Sequence, residues 1–172
     1  MAALIQIPYK RQLAAAYANE WAYRRNPDYY DFSKIGGDCT NFASQCILAG
    51  CGVMNYRSTY GWYYRSLRDR APSWTSVTYL YRFLTTNQGP GPYGRLAELS
   101  EAEPGDIVQL RFLGNEAFGH SPVITSVGEE PTLDSVLVAA HSMDCGSRPL
   151  STYKNLAAVR VIHLEGARRW RA

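Results

Sequence analysis

The run Gly36-Gly37-Asp38-Cys39-Thr40-Asn41-Phe42-Ala43-Ser44-Gln45 constrains this chain more than any other stretch, because it puts a thiol where a glycine turn becomes a helix. Asp38 suits the N-cap and Cys39 the first helical position. From there Cys39, Phe42, Ala43, Cys46 and Ile47 recur at helical spacing, and Gly50 and Gly52 supply a stop. A sulfur at that helix end faces orphan amides and the positive end of the dipole, which favours thiolate over thiol. The same periodicity also fits a small core residue, the reading given to Cys46, deeper on the same stripe. An Asp38 side chain turned to its own helix amides would be a cap and not a catalyst.

The order of elements limits the fold class. Tyr9 to Arg25 reads as an amphipathic helix with Leu13, Tyr17 and Trp21 on one face, halted by Asn26-Pro27. After the Cys39 helix, Thr75 to Thr86 reads as a third helix through Val77, Leu80, Tyr81 and Leu84, broken by Gly89-Pro90-Gly91-Pro92. Beyond that break the period shortens to that of strands: Ile107 to Phe112, a run entered at His120 and continuing to Val127, Val136 to His141, and Val159 to Leu164. Helices first and antiparallel sheet last is an α+β order. A length of 172 residues with 46% hydrophobic composition and no internal repeat is most simply one domain, 1–172, around one core.

Histidine narrows the chemistry, since the chain has only three, His120, His141 and His163. The turn Gly128-Glu129-Glu130-Pro131 lies between the two strands that carry the first two, so a hairpin would bring His120 and His141 to one open end of the sheet. A nucleophilic cysteine needs a base, and the base needs a third polar group to orient its ring. Cys39, His120 and His141 have those roles available, with Asp144 and Asn155 as alternative orienting groups. His163, inside the last strand, reads as structural.

Aromatic side chains are dense between Tyr56 and Tyr81. Tyr60, Trp62, Tyr63, Tyr64 and Trp74 can line a groove on which a sugar or extended peptide stacks, with Trp62 the first candidate for a wall, or they can pack the segment between two helices.

These residues resemble a known family. Asp38-Cys39-Thr40-Asn41-Phe42-Ala43-Ser44-Gln45 is similar to the nucleophile motif of the putative amidase domain of bacterial cell-wall enzymes, grouped with the papain-like NlpC/P60 and CHAP peptidases. Pro104-Gly105-Asp106-Ile107-Val108 resembles the turn and first sheet strand placed upstream of the family's histidine, and Gly119-His120-Ser121 resembles the histidine motif. The resemblance runs from about Arg11 to Leu164. It implies a papain-like α+β fold, with the nucleophile helix packed on a C-terminal antiparallel sheet. It further implies hydrolysis of amide bonds in peptidoglycan peptides or cross-bridges, with no metal or organic cofactor. Cysteine precedes histidine, as in the unpermuted members. The third catalytic residue carries over as His141, with Asp144 second.

A formal net charge of +3 is mild and gives no reason to expect a nucleic-acid partner. No segment reads as membrane-spanning, and Met1-Ala2-Ala3-Leu4-Ile5-Gln6-Ile7-Pro8 does not read as a secretory signal, although the resemblance implies a secreted or wall-associated protein. A monomer is expected. Cys39, Cys46, Cys51 and Cys145 are too few and too irregular for a disulfide framework, and the first three lack zinc-site spacing. Cys51 and Cys145 are either a disulfide or two free thiols. Two other readings stay open: a non-catalytic wall-binding module, and an acyl transferase that forms cross-links.

Overall fold

The computed structural model describes residues 2–172, so Met1 of the apolar N-terminal patch lies outside the described residues. A short strand β1 (Leu4–Ile7) leads into helix α1 (Arg11–Trp21). This helix begins later than its apolar pattern suggested, because Pro8 has no amide to donate and Tyr9 turns inward, its hydroxyl donating to the Gly105 carbonyl at 2.7 Å. Ala14, Ala15 and Ala18 form its buried face, and their small side chains let it lie close against α2 (Cys39–Cys51). Helix α2 starts at the cysteine and is buried over most of its length. Gly52 ends it in the left-handed conformation at φ 69°, its amide donating to the Leu48 carbonyl at 2.7 Å.

Next comes a closed loop in which Asn55 and Trp62 exchange backbone bonds of 2.8 and 2.7 Å. A small hairpin, β2 (Tyr64–Ser66) and β3 (Asp69–Arg70), precedes the one-turn helix α3 (Pro72–Thr75) and helix α4 (Val77–Thr86). The expected helix from Thr75 is thus split in two. Ser76 is extended between the pieces, and its hydroxyl caps α4 by accepting the Tyr79 amide at 3.3 Å.

The remaining strands are β4 (Gly91–Ala97), β5 (Ile107–Phe112), β6 (Val123–Ser126), β7 (Leu137–Ala140), β8 (Cys145–Pro149) and β9 (Leu156–Trp170). With β1 they form an antiparallel seven-stranded sheet in the order β1-β9-β5-β6-β7-β8, and β4 pairs with β9 as well. The molecule is therefore a mixed α+β protein with a large antiparallel sheet and four helices. The Gly-Pro-Gly-Pro break does not stay a loop: Gly91 and Pro92 open β4, which pairs on one side alone and so tolerates a proline.

Strand β9, 15 residues long, extends well past the Val159–Leu164 run and joins the sheet together. Strand β4 lies along one of its edges from Val161 to Arg168, while β5 and then β1 occupy the other, over Leu156–Ile162 and Ala167–Trp170. The gap between β5 and β1 leaves β9 at Leu164 without a strand partner on that edge, and the Pro-Gly-Asp turn fills it. Asp106 Oδ1 accepts the Leu164 amide at 3.0 Å, and the Arg11 guanidinium donates to the Leu164 carbonyl. Arg11 also pairs with Asp106 at 2.6 Å, and Asp106 Oδ2 meets His163 Nδ1 at 2.9 Å.

Side-chain alternation sorts the sheet into two apolar layers. Ile107, Val123, Ala139, Ile162 and Leu164 pack with the helices and with Trp62 and Trp74. Val108, Leu110, Ile124, Val138 and Val161 pack on the opposite face with Val136 and Leu150. Among the described residues no helix is long and apolar enough to cross a membrane.

Candidate active site

Cys39 occupies the first position of α2, yet it is only 9% exposed. Burial pushes its thiol above the usual range, and the Asp38 carboxylate adds to that. The Thr40 hydroxyl, 3.7 Å from Sγ, and the backbone amides of Ser121 and Thr40 oppose the rise without cancelling it. The helix end therefore does not deliver the resting thiolate that its position suggested, because desolvation outweighs the local amides.

Asp38 does not cap the helix with its side chain. Its Oδ1 accepts the Phe32 amide at 2.8 Å and the Asn41 side-chain amide at 2.9 Å, and its Oδ2 lies 2.5 Å from His141 Nδ1. His141 is buried, stacks on Phe42 with ring centroids 3.9 Å apart, and places Nε2 2.8 Å from the Trp21 carbonyl. Both ring nitrogens are engaged away from His120. The register explains why: Val123 faces Ala139 and Ile124 faces Val138, so continuing the ladder puts Ser121, not His120, opposite His141. Neighbouring strand positions point to opposite faces. Asp144 is held by Arg25 through bonds of 2.8 and 3.0 Å, and Asn155 sits in a turn at φ 58° with its carbonyl accepting the Leu113 amide. The structure therefore brings none of His141, Asp144 and Asn155 to the His120 ring as an orienting partner.

The strand expected to begin at His120 begins at Val123, and His120 itself forms an isolated bridge with Leu110. Its ring stands edge-on to Tyr153 at 5.8 Å. Burial, reinforced by the Arg148 charge, lowers the imidazole from 6.5 to about 4, so it is neutral at pH 7. His120 lines a cavity of about 540 Å³ with Ser142, Met143, Arg148, Tyr153 and Lys154 among its walls.

Ser121 connects this cavity to the cysteine. Its hydroxyl accepts from Thr40 at 3.3 Å and from the Gln109 side chain at 3.2 Å, while its amide lies beside Cys39 Sγ. On the other flank Ser142, a wall of the same cavity, accepts the Asp38 amide at 2.9 Å. The start of α2 is thus joined to both strand ends that flank the cavity. Sequence reasoning missed Thr40, Ser121, Ser142, Arg148 and Tyr153. Position beside Cys39, His120 and His141 was the available signal for the first three; Arg148 and Tyr153 carried none.

Two of the aromatic residues expected to line a groove lie in the core instead. Trp62 and Trp74 are fully buried, with ring centroids 4.8 Å apart, and cannot form a groove wall. Trp62 Nε1 donates to Ser44 Oγ at 3.1 Å and Trp74 Nε1 to Asn41 Oδ1 at 2.9 Å, so each indole finds its polar partner on α2. Tyr60 is 69% exposed and lines a different groove, of about 860 Å³, which shares no lining residue with the His120 cavity. Cys39, Cys46, Cys51 and Cys145 are all free thiols, which resolves the Cys51 and Cys145 alternatives.

The fold and site together define an α+β protein in which a cysteine at a helix start is tied to the strand entrance that bears a histidine. The chain belongs to the putative amidase domain family, which it matches over residues 8–163. That membership points to amide hydrolysis. The chain is also 30% identical over 120 residues to the uncharacterized protein YhbB of Bacillus subtilis (strain 168), a match that takes in 69% of this chain and 37% of that protein. The chain thus spans little more than a third of that relative's length. No solved structure matches it significantly.

Proposed function

We propose that this chain is a cysteine-dependent amide hydrolase with a papain-like fold, acting on peptide or amide bonds of bacterial peptidoglycan through an acyl-enzyme. The observation that carries the reading is the join at Ser121, whose amide lies beside the Cys39 sulfur and whose chain neighbour, His120, lines a substrate-sized cavity. Family membership and the position of the Cys39 helix ahead of the strands that flank His120 support it further.

The two shifted groups define the order of proton movement. With the thiol protonated and the imidazole neutral, His120 takes the Sγ proton as sulfur attacks the carbonyl carbon, not before. The Cys39 backbone amide, which has no hydrogen-bond partner among the described residues, donates to the developing oxyanion. The His120 imidazolium then protonates the departing amine as the C–N bond breaks. Water, deprotonated by His120, attacks the thioester and releases the acid and the thiol.

Incubation with purified peptidoglycan, read by new amine termini and product mass, tests this. Wild-type cleavage that disappears in Cys39→Ala and His120→Ala, with both variants folded, is the expected result; full activity in Cys39→Ala overturns it. The low exposure of Cys39 favours a second reading, a non-catalytic wall-binding module on the same scaffold. That reading predicts co-sedimentation with insoluble wall and no new termini.

A further inference from the structure

We propose that the cavity beside His120 is a carboxylate-recognition site, in which Arg148 and Lys154 hold a free carboxylate of the substrate close to the amide that is cut. The inference deepens the hydrolase reading and rests on it: the substrate class becomes an anionic peptide or acyl-amino acid.

The lining of the cavity is electrostatically one-sided. It contains the cations Arg148 and Lys154 and no aspartate or glutamate. Among the described residues neither cation is in an ion pair, whereas Arg11, Arg25 and Arg95 each have an acidic partner. The nearest acid in the sequence, Asp144, is taken by Arg25.

Arg148 is also held in place. Its Nε donates to Thr152 Oγ1 at 2.9 Å, its Nη2 to the Thr152 carbonyl at 3.2 Å, and its guanidinium lies 3.7 Å from the Tyr153 ring centroid. Nη1 has no hydrogen-bond partner among the described residues. A fixed guanidinium with an unfilled donor, on an aromatic wall, matches a planar carboxylate better than it matches water. Lys154, exposed at the rim, supplies a movable second charge.

Recognition would also reach the base. The Arg148 charge is one of the two causes that hold His120 neutral, so a bound carboxylate that offsets this charge makes the imidazole a better proton acceptor when substrate is present.

Two alkylating probes of similar size but different charge test the proposal: iodoacetate and iodoacetamide. In each, Cys39 Sγ displaces iodide from the methylene carbon. The expected result is a Cys39 rate ratio of iodoacetate to iodoacetamide about tenfold above that of free glutathione, the size of one charge-assisted contact. It should fall to the glutathione value in Arg148→Gln/Lys154→Gln and be partly kept in Arg148→Lys. A wild-type ratio equal to that of glutathione, or one unchanged in the double variant, overturns it. Should Cys39 react with neither probe, the nucleophile reading fails, and the carboxylate site is judged by a second measurement. N-acetylalanine and N-acetylalaninamide are titrated into Cys39→Ala while the His120 ring resonances are followed. Tighter binding of the acid, lost in the Arg148→Gln/Lys154→Gln background, supports the site, and equal or absent binding of the two compounds overturns it.

Discussion

Asp38 and His141, 103 residues apart in sequence, meet through Oδ2 and Nδ1 at 2.5 Å with both side chains buried. The contact ties the end of β7 to the start of α2, directly behind Cys39. Removing one member strands one buried atom of the other, Oδ2 of Asp38 or Nδ1 of His141, a cost of about 1–3 kcal/mol. His141→Ala should therefore lower the urea midpoint strongly. A cycle with Asp38→Ala should give less than the sum of the single effects, since either change alone already breaks the pair.

Cys39 and Cys46 should separate cleanly by alkylation. Labelling of Cys39 by iodoacetamide, located by peptide mass mapping, should rise through pH 9 without levelling, because burial holds its thiol above that range. Cys46, fully buried, should label only on unfolding. Cys39→Ala should keep its fold, and Cys46→Ala should lose about 1 kcal/mol from the vacated volume. Labelling of Cys39 that plateaus below pH 8 would contradict the mechanism.

His120 should make stability depend on pH in one window. Its imidazole stands at about 4 in the folded chain against 6.5 ordinarily, so between those values the unfolded chain takes up a proton that the folded chain does not. Stability is then flat above about pH 6.5 and falls as pH drops toward 4, by on the order of 3 kcal/mol from this group. Urea midpoints across that range should show the slope in the wild type and a smaller one in His120→Gln.

Asp106 should behave as a structural residue. Its buried carboxylate serves the Leu164 amide, Arg11, His163 and the Glu103 amide together. Asp106→Ala should cost about 3 kcal/mol by leaving the Leu164 amide without its acceptor and removing the half-buried Arg11 ion pair. Activity per folded molecule should stay within a few-fold of the wild type, read by activity against circular dichroism at low temperature.

Local signals were legible and long-range ones were not. The start of α2 at Cys39 and its end at Gly52 follow from a short apolar stripe and a glycine, both contained within the segment. The partners of Asp38 lie at Phe32, Asn41 and His141, so no local pattern could distinguish a cap from a buried hub. The separation of His120 from His141 turned on a single register step, which strand spacing alone does not set. Trp62 and Trp74 read equally well as groove or core, and only the acceptors on α2 decide the matter. Strand β9 was underestimated because Gly166 and the Arg168-Arg169 pair interrupt its apolar alternation, while pairing with β1 and β4 carries it through.

The central place of β9 has a consequence in time. A ribosome delivers α1, α2 and eight strands before the strand that β1, β4 and β5 all pair with. Until those last residues emerge, β1 and β4 have no neighbour to bond and Asp106 has no Leu164 amide to hold. Folding must then close contacts across nearly the whole chain, which is slow and leaves strand edges open to other chains. The Cys39 helix is made early, but the sheet it rests against is completed last, so assembly of the site is timed by the C-terminal segment.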